Sequence, residues 1–239
     1  KQMKKFIKNI DIYCDGADFA SMKKFYKTDY IKGFTTNPSL MKLSGIKNYE
    51  SFSKKALKII KNKSISLEVF SDDINEMDKQ ANIIASWGKN IYVKIPITNT
   101  KGKSCLPLVK KLIDKNIKVN ITAIFTSKQV MDIKKYLKKD SHVIVSIFAG
   151  RIADTGIDPT KIISKSIELF KGYKNVKTLW ASTREILNII QADRMKCDII
   201  TVPISMLKKT NTLGKSLEKF SLETVKSFYD DAKKAGYKI

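Results

Sequence analysis

The sequence contains no apolar run near the ~20 residues that a membrane span requires. Its basic first stretch, residues 1–8, lacks the apolar segment and small-residue cleavage site of a secretory signal. Cysteine is scarce too: Cys14, Cys105 and Cys197 lie far apart, outside any C-x-x-C pattern, and with the single His142 they form no zinc template. We therefore expect free thiols, no metal site, no membrane contact and a reducing cytoplasmic setting.

Arginine is the other scarce residue in a chain of net charge +23, where only Arg151, Arg184 and Arg194 occur. The lysines are spread over almost every segment, without a dense basic tail or a recognition motif, so a lysine-rich composition explains the charge better than nucleic-acid binding. A non-catalytic barrel that binds nucleic acid remains the remote alternative. In such a chain, an arginine indicates a position that requires a planar guanidinium and its paired hydrogen bonds. Arg194, at a helix end, is interpreted as structural.

Eight short β-rich runs each precede a longer amphipathic stretch. The predicted strands are Asp11–Asp15, Gly33–Thr36, Ser64–Phe70, Ile91–Ile95, Lys118–Thr122, His142–Ile147, Thr178–Ser182 and Ile199–Val202. The predicted helices are Asp18–Lys27, Tyr49–Lys61, Asp73–Trp87, Ser104–Lys115, Ser127–Lys138, Pro159–Lys171, Arg184–Arg194 and Leu222–Ala235. This alternation predicts an α/β fold, a (β/α)8 TIM barrel in one domain over residues 1–239. An open doubly wound sheet is the alternative, although no G-x-G-x-x-G turn supports it.

Polar residues end most of the predicted strands, although strands buried on both faces are normally continuous apolar runs. These residues are Asp15, Thr36, Asn37, Glu68, Lys94, Asn120, Thr122, Ser146 and Ser182. Barrel enzymes build their sites at the carboxyl ends of the strands. We therefore expect these side chains to converge on one pocket.

Lys94 lies inside the apolar run Ile91–Pro96, with Val93 and Ile95 as neighbours and no carboxylate close in sequence. Burial of an amine favours its neutral form, which is the nucleophile that Schiff-base chemistry needs. Arg151 and Arg184 belong to the same layer, after the sixth and seventh strands. A hydroxyl, here Ser182, together with arginine and a helix start indicates a phosphate site.

Seven short motifs give the chain a resemblance to the transaldolase family, in the short-subunit group that includes the fructose-6-phosphate aldolases. The motifs are I-Y-C-D-G-A-D (12–18), T-T-N-P-S (35–39), S-L-E-V (66–69), V-K-I-P (93–96), N-I-T-A-I-F (120–125), S-I-F-A-G-R-I-A-D (146–154) and A-S-T-R (181–184). The resemblance implies a barrel that forms a Schiff base with phosphorylated sugars, without metal or organic cofactor, in pentose phosphate metabolism. It implies catalytic roles for Lys94, Asp15, Glu68 and Thr122.

The same resemblance implies that Asn37, Asn120 and Ser146 bind the hydroxyls of a dihydroxyacetone unit. It also implies a phosphate grip formed by Arg151, Ser182 and Arg184. The family's short-subunit members suggest a homo-oligomer, often a decamer, in which the helix Leu222–Ala235 reaches a neighbouring subunit.

Two residues are similar to those of transaldolases rather than of fructose-6-phosphate aldolases, namely Glu68 on the third strand and Phe148 after the sixth. A hydroxyl at position 148 could position water to release dihydroxyacetone, whereas an apolar ring leaves the intermediate for an acceptor sugar. Gly16 and Ile147 depart from the family pattern. A fructose-6-phosphate aldolase, or an enzyme specialised for another sugar phosphate, therefore remains an alternative.

Overall fold

A computed structural model of the chain describes residues 3–239, apart from the side chain of Lys4. Eight parallel strands close into a barrel in chain order, β1 to β8. They are β1 Asp11–Asp15, β2 Ile31–Thr35, β3 Ser64–Glu68, β4 Ile91–Pro96, β5 Val119–Ile124, β6 Val143–Ile147, β7 Val176–Trp180 and β8 Ile199–Pro203. The predicted (β/α)8 barrel is confirmed. That residues 1–239 form one domain stays a prediction, and its first two residues lie outside the described ones.

Eleven α-helices follow the strands within the described residues. They are α1 Phe19–Tyr26, α2 Pro38–Leu43, α3 Tyr49–Ile59, α4 Ile74–Ser86, α5 Leu106–Asp114, α6 Ser127–Lys134, α7 Ala149–Ala153, α8 Thr160–Leu169, α9 Ile186–Arg194, α10 Ile204–Leu207 and α11 Leu217–Ala235. Short side chains cap several of their N-termini. Asp73 accepts from the N–H groups of Asn75 and Glu76, and Thr126 and Gln129 form a capping box at α6.

The strands are buried because the helices cover their outer faces, as parallel barrels require. All five residues of β6 are buried, and Val119 and Ile121 of β5 have no exposed surface. The core therefore extends on both sides of the sheet, and the polar residues at the carboxyl ends of the strands are left around the barrel mouth.

Three short helices were not expected from the sequence: α2, α7 and α10 directly follow β2, β6 and β8. Each is four to six residues long, too short for a helical period to show. The seventh strand also ends at Trp180 instead of Ser182. Ser182 lies in the following loop with φ of +60°, a left-handed conformation that is incompatible with a strand.

Helix α11 begins at Leu217, five residues before the predicted start at Leu222, because the Ser216 hydroxyl accepts from the Lys219 N–H and caps it there. No residue of this helix is buried. Its exposed apolar side chains are Leu217, Phe220, Leu222, Val225, Phe228 and Tyr229. Among the described residues, no helix has the length and hydropathy for a transmembrane span.

Candidate active site

A cavity of about 190 Å³ opens at the carboxyl ends of the barrel strands. Ten of the eleven site residues proposed from the sequence line it: Asp15, Asn37, Lys94, Asn120, Thr122, Ser146, Phe148, Arg151, Ser182 and Arg184. The eleventh, Glu68, is not in the lining but lies beside the Lys94 amine. The barrel therefore brings together side chains that are up to 169 positions apart in sequence (15 to 184). Their chemical roles stay predictions.

The Lys94 side chain is held inside the barrel mouth, and the residue is 6% exposed. Its Nζ donates to the carbonyl oxygen of Thr36 at 2.8 Å and lies 3.4 Å from Glu68 Oε2. Strand register explains these neighbours, since Lys94 is paired with Glu68 on β3 and with Asn120 on β5. The amine thus faces the cavity beside the carboxylate of Glu68 and has little access to bulk solvent.

Asp15, a half-buried residue at the end of β1, presents its carboxyl group to the same cavity. Burial raises the pKa of this carboxyl above 3.8, while the positive charge of Lys94 and the hydroxyl of Thr35 act in the opposite direction. Thr35 Oγ1 donates to Asp15 Oδ1 at 2.8 Å and is itself in contact with the hydroxyl of Thr201. This chain of hydroxyls holds the carboxylate in one orientation.

A second set of hydrogen bonds orients the amide of Asn120, which has no exposed surface. Its Nδ2 donates to Ser66 Oγ at 3.0 Å, and its Oδ1 accepts from Ser146 Oγ at 2.7 Å. Thr122 Oγ1, in contrast, is buried and has no hydrogen-bond partner among the described residues. A buried hydroxyl without a protein partner is uncommon in folded proteins.

Asn37 contributes to the site and to local structure. It is the N-cap of α2, where its Oδ1 accepts from the Leu40 N–H at 2.9 Å and Pro38 takes the first helical position. Because Oδ1 is used by the cap, the Nδ2 amide is left as a donor for the cavity.

The predicted phosphate-binding residues lie on one side of the cavity, where the loop after β7 meets α7. Gly150 makes this approach possible: a Cβ there would lie 1.6 Å from the carbonyl oxygen of Ser182. Arg184 Nη2 is held by Asp154 Oδ2 at 2.7 Å, and both side chains are about half exposed. The guanidinium is therefore oriented before any ligand is bound.

Phe148 closes part of the cavity with an apolar ring. The ring lies 5.8 Å from that of Phe125, centroid to centroid, in a tilted arrangement. Aromatic pairs of this geometry hold each other in place. Because residue 148 is a phenylalanine, this part of the cavity wall has no hydroxyl.

Sequence reasoning missed six further lining residues: Thr35, Leu179, Ala181, Thr183, Thr201 and Pro203. It selected Thr36 instead of Thr35. Thr36 is buried away from the cavity and donates to the Ser66 carbonyl oxygen at 2.8 Å. A signal for Thr201 was present, because it is the one polar residue in the run Ile199–Pro203. Thr35 and Thr36 could be distinguished only by the alternation of β2, whose register the sequence does not show.

Among the described residues, no group of three or more His, Cys, Asp and Glu side chains is placed to hold a metal ion. Cys14, Cys105 and Cys197 are free and buried. The site therefore consists of a buried lysine, two carboxylates, several hydroxyls and amides, and two arginines. Fold and site together define a barrel protein with a lysine-containing polar cavity at the carboxyl end of its sheet.

The family model described as "Transaldolase/Fructose-6-phosphate aldolase" matches residues 12–239. A protein of Nitrosopumilus maritimus named "Probable transaldolase" is 35% identical over 215 residues, which are 89% of this chain and 91% of that protein. One of Dehalococcoides mccartyi with the same name is 32% identical over 197 residues, 82% and 88% of the two chains. The chain belongs to the transaldolase/fructose-6-phosphate aldolase family, which supports an enzyme of the aldolase or aldehyde–ketone transferase type.

The fold is shared more widely than the family. The tryptophan synthase A-subunit of Pyrococcus furiosus superposes with a TM-score of 0.56 at 11% identity, covering 90% of this chain and 95% of that one. At this identity the likeness concerns the barrel alone.

Proposed function

We propose that the protein is a transaldolase that moves a dihydroxyacetone unit between sugar phosphates through a Schiff base on Lys94. The donor is a ketose phosphate such as fructose 6-phosphate or sedoheptulose 7-phosphate. The acceptor is an aldose phosphate such as erythrose 4-phosphate or glyceraldehyde 3-phosphate. The observation that carries the proposal is the buried Lys94 amine, 3.4 Å from Glu68 and in one cavity with Asp15.

In the first half-reaction, Lys94 passes a proton to Glu68, 3.4 Å away, and its freed amine adds to the C2 carbonyl of the donor. The carbinolamine loses water and becomes an iminium ion, which is an electron sink. Asp15 takes the proton of the C4 hydroxyl as the C3–C4 bond breaks, and that electron pair moves into the iminium to form an enamine. The shortened aldose phosphate leaves while the three-carbon unit stays on Lys94.

In the second half-reaction the enamine carbon attacks the aldehyde of the acceptor, and Asp15 returns its proton to the new hydroxyl. Water then hydrolyses the iminium and frees the amine. Formation and loss of the carbinolamine both need proton transfers near the nitrogen. Glu68, 3.4 Å from that nitrogen, would relay these protons, and Thr122 would hold a catalytic water with it.

The remaining lining residues fit the rest of the substrate. Asn37, Asn120 and Ser146 supply amide and hydroxyl groups for the hydroxyls of the dihydroxyacetone unit. Arg151, Ser182 and Arg184 would bind the phosphate through charge-assisted hydrogen bonds.

Transfer is favoured over simple cleavage by Phe148, whose ring contributes no hydroxyl beside the enamine. Without a positioned proton source the enamine persists until an acceptor arrives. A fructose-6-phosphate aldolase is the second candidate, and Phe148→Tyr is the variant expected to move the enzyme towards it.

Borohydride trapping tests the mechanism. In the presence of fructose 6-phosphate, reduction should attach the three-carbon unit to Lys94, detectable by peptide mass spectrometry. Lys94→Arg should abolish both the label and turnover, while the exposed Lys79→Arg on α4 should change neither. Labelling of another lysine, or full turnover by Lys94→Arg, would refute the Schiff-base assignment.

A coupled assay with fructose 6-phosphate distinguishes the two activities. Product formation that requires erythrose 4-phosphate supports the transaldolase. Dihydroxyacetone released at an equal rate without an acceptor supports the aldolase.

We also infer that the protein self-associates through α11. Six apolar side chains of this 19-residue helix are exposed, and an apolar face of this extent on a folded chain indicates a covering partner. A ring-based homo-oligomer, as large as a decamer, accounts for it.

We also propose a cytoplasmic location. The three cysteines are free and buried, and the reducing cytoplasm keeps thiols from forming disulfides.

No nucleic-acid partner is proposed. Some lysines are paired with carboxylates on helices, as where Lys128 and Lys135 both lie 2.7 Å from Asp132, and the sequence carries no dense basic tail. Steeply salt-dependent binding to DNA or RNA would overturn this inference.

A further inference from the structure

Two threonine hydroxyls from different strands lie beside the carboxyl group of Asp15. Thr35 ends β2, and Thr201 is in the middle of β8. These strands pair with β1 on its two sides, so their side chains can meet only inside the barrel, across β1. The two Oγ1 atoms are hydrogen-bonded there, and Thr35 Oγ1 also donates to Asp15 Oδ1 at 2.8 Å.

The direction of this chain follows from the hydrogens available. A threonine hydroxyl has one hydrogen to donate and two positions at which it accepts. Because Thr35 gives its hydrogen to Asp15, Thr201 is the donor in the bond between the two threonines. The chain therefore runs from Thr201 to Thr35 to Asp15. Successive hydrogen bonds polarise one another, so the first hydroxyl strengthens the bond that the second makes with the carboxylate.

Both hydroxyls lie where water cannot easily replace them. Thr35 is 3% exposed and Thr201 is 5% exposed, although both belong to the cavity lining. Strand alternation explains the placement of Thr201, because its neighbours Ile200 and Val202 have no exposed surface and belong to the main hydrophobic core. Loss of the Thr201 hydroxyl would leave the Thr35 oxygen without its donor and free to rotate.

Other charged groups share the cavity with Asp15. Lys94 of β4 lowers the pKa of its carboxyl, while burial raises it. Arg151 of α7 and Arg184 after β7 belong to the lining, and Glu68 of β3 lies beside Lys94. The elements packed on β1, namely β2, β8 and α10, bring no charged side chain to the described lining. From that side, the carboxylate is supported by the two hydroxyls.

On the proposed function, in which Asp15 takes the C4 proton, we propose that Thr201 is a positioning residue for this base. Its hydroxyl holds the Thr35 hydrogen on Asp15 Oδ1. This fixes the plane of the carboxylate and leaves Oδ2 as the oxygen that accepts the substrate proton. The same chain stabilises the ionised carboxylate, because hydrogen bonds to the charged form favour it.

The first test follows Asp15 directly, through the ¹³C resonance of its carboxyl group in the full-length protein, assigned with Asp15→Asn. We expect Thr201→Val to raise the pKa of Asp15, because the ionised form loses support. Thr201→Ser keeps the hydroxyl and should titrate as the wild type does. Thr178→Val is the matched control, since it removes a buried hydroxyl of β7 that is bonded to Ser166 Oγ, and it should leave this pKa unchanged.

The second test asks whether Thr201 acts through Thr35. In Thr35→Val the chain is already broken, so the added change Thr201→Val should raise the pKa of Asp15 no further. An equal increase in both backgrounds would overturn the proposal, because Thr201 would then act on Asp15 by another route. The pair Thr201→Ser and Thr201→Ala also differs in the hydroxyl and gives the same comparison where valine unfolds the protein.

Kinetics separate positioning from substrate binding. Loss of the Thr201 hydroxyl should lower kcat about three- to tenfold, the size of one hydrogen bond, with the KM for fructose 6-phosphate unchanged. A raised KM with unchanged kcat would show that Thr201 binds the substrate instead, which overturns the proposal. A Thr201→Val titration identical to that of the wild type does the same. The resonance tests need no turnover, so their outcome is separate from that of the transaldolase assignment.

Discussion

Asp15 shows how the barrel prepares a single side chain for acid–base work. Removal from water in the barrel mouth raises the pKa of its carboxyl above the ordinary 3.8, and this increase is opposed by the Lys94 charge and the Thr35 hydroxyl. A base must be ionised at working pH, whereas burial favours the protonated form. Thr35, which the sequence analysis did not select, therefore tunes the group that accepts the substrate proton.

We predict that Thr35→Val moves the acid limb of the kcat/KM profile to higher pH. The variant keeps the side-chain shape but removes the hydrogen bond that lowers the pKa of Asp15, so the base is protonated at a pH where it was ionised before. Thr183→Val is the control, because Thr183 Oγ1 donates to the Thr201 carbonyl oxygen and not to Asp15. An acid limb unchanged by Thr35→Val would contradict the predicted role of Asp15 as the base.

Asp15 also affects stability, with a sign that follows from burial. Asp15 binds its proton more tightly in the folded state than in the unfolded state. Its contribution to the free energy of unfolding therefore falls as pH rises from the ordinary carboxyl pKa through the raised folded value. Asp15→Asn carries no such charge. We predict that the variant lacks this decrease, measured by denaturant titration across that pH range, and that its activity drops roughly 10²- to 10⁴-fold. A stability difference between the wild type and Asp15→Asn that stays constant across this window would contradict the raised pKa.

Gly150, in α7, allows this helix to approach the loop after β7 closely. The carbonyl oxygen of Ser182 occupies the place of its missing Cβ, with 1.6 Å between the two positions. Backbone cannot move aside as a flexible side chain can, so the loop after β7 must shift if a methyl group is added. Ser182 and Arg184 would move with it.

We therefore predict that Gly150→Ala lowers the free energy of unfolding by about 1–3 kcal/mol and raises the KM for phosphorylated substrates. Gly88→Ala is the control, because its added Cβ would meet nothing closer than Asn90 Oδ1 at 3.1 Å, far from the site. A Gly150→Ala variant with unchanged KM and stability would show that the loop does not depend on this contact.

Asp193, near the end of α9, attaches the N-terminal segment to the barrel. Its Oδ1 accepts from three successive backbone N–H groups, those of Lys8 at 2.8 Å, Asn9 at 2.7 Å and Ile10 at 3.2 Å. We predict that Asp193→Ala lowers the free energy of unfolding by about 2–3 kcal/mol, because these donors lose their acceptor. Asp193→Asn keeps a carbonyl oxygen at the same place and should retain most of the stability, as thermal or chemical unfolding can show.

Helix α11 bears on how whole molecules associate. None of its 19 residues is buried in the folded chain, so its apolar face is left uncovered. Phe228 and Tyr229 are 70% and 65% exposed on this face. We predict that Phe228→Lys lowers the oligomeric state in light-scattering chromatography without unfolding the barrel. Asp230→Lys places a lysine on the opposite side of α11, away from the apolar face, and should leave the assembly intact. Equal behaviour of the two variants, or a wild-type monomer, would contradict self-association through this face.

The sequence by itself determined the barrel and most of the candidate site. Strand and helix periods alternate eight times, and polar residues interrupt apolar strands at their ends, as Lys94 does between Val93 and Ile95. Both are local signals, because one face of a helix or the end of a strand can be recognised within a few residues. The seven family motifs then agree with the family match over residues 12–239.

Only the tertiary structure decided which face each polar residue occupies and which distant groups meet. It turned Thr35 rather than Thr36 towards Asp15, set Glu68 beside Lys94 through the β3–β4 register, and placed Ser182 against Gly150. It also buried Trp180 Nε1 without an acceptor among the described residues. These features depend on closure of the sheet, which brings residues from opposite ends of the chain within hydrogen-bond distance, and no local pattern encodes such contacts.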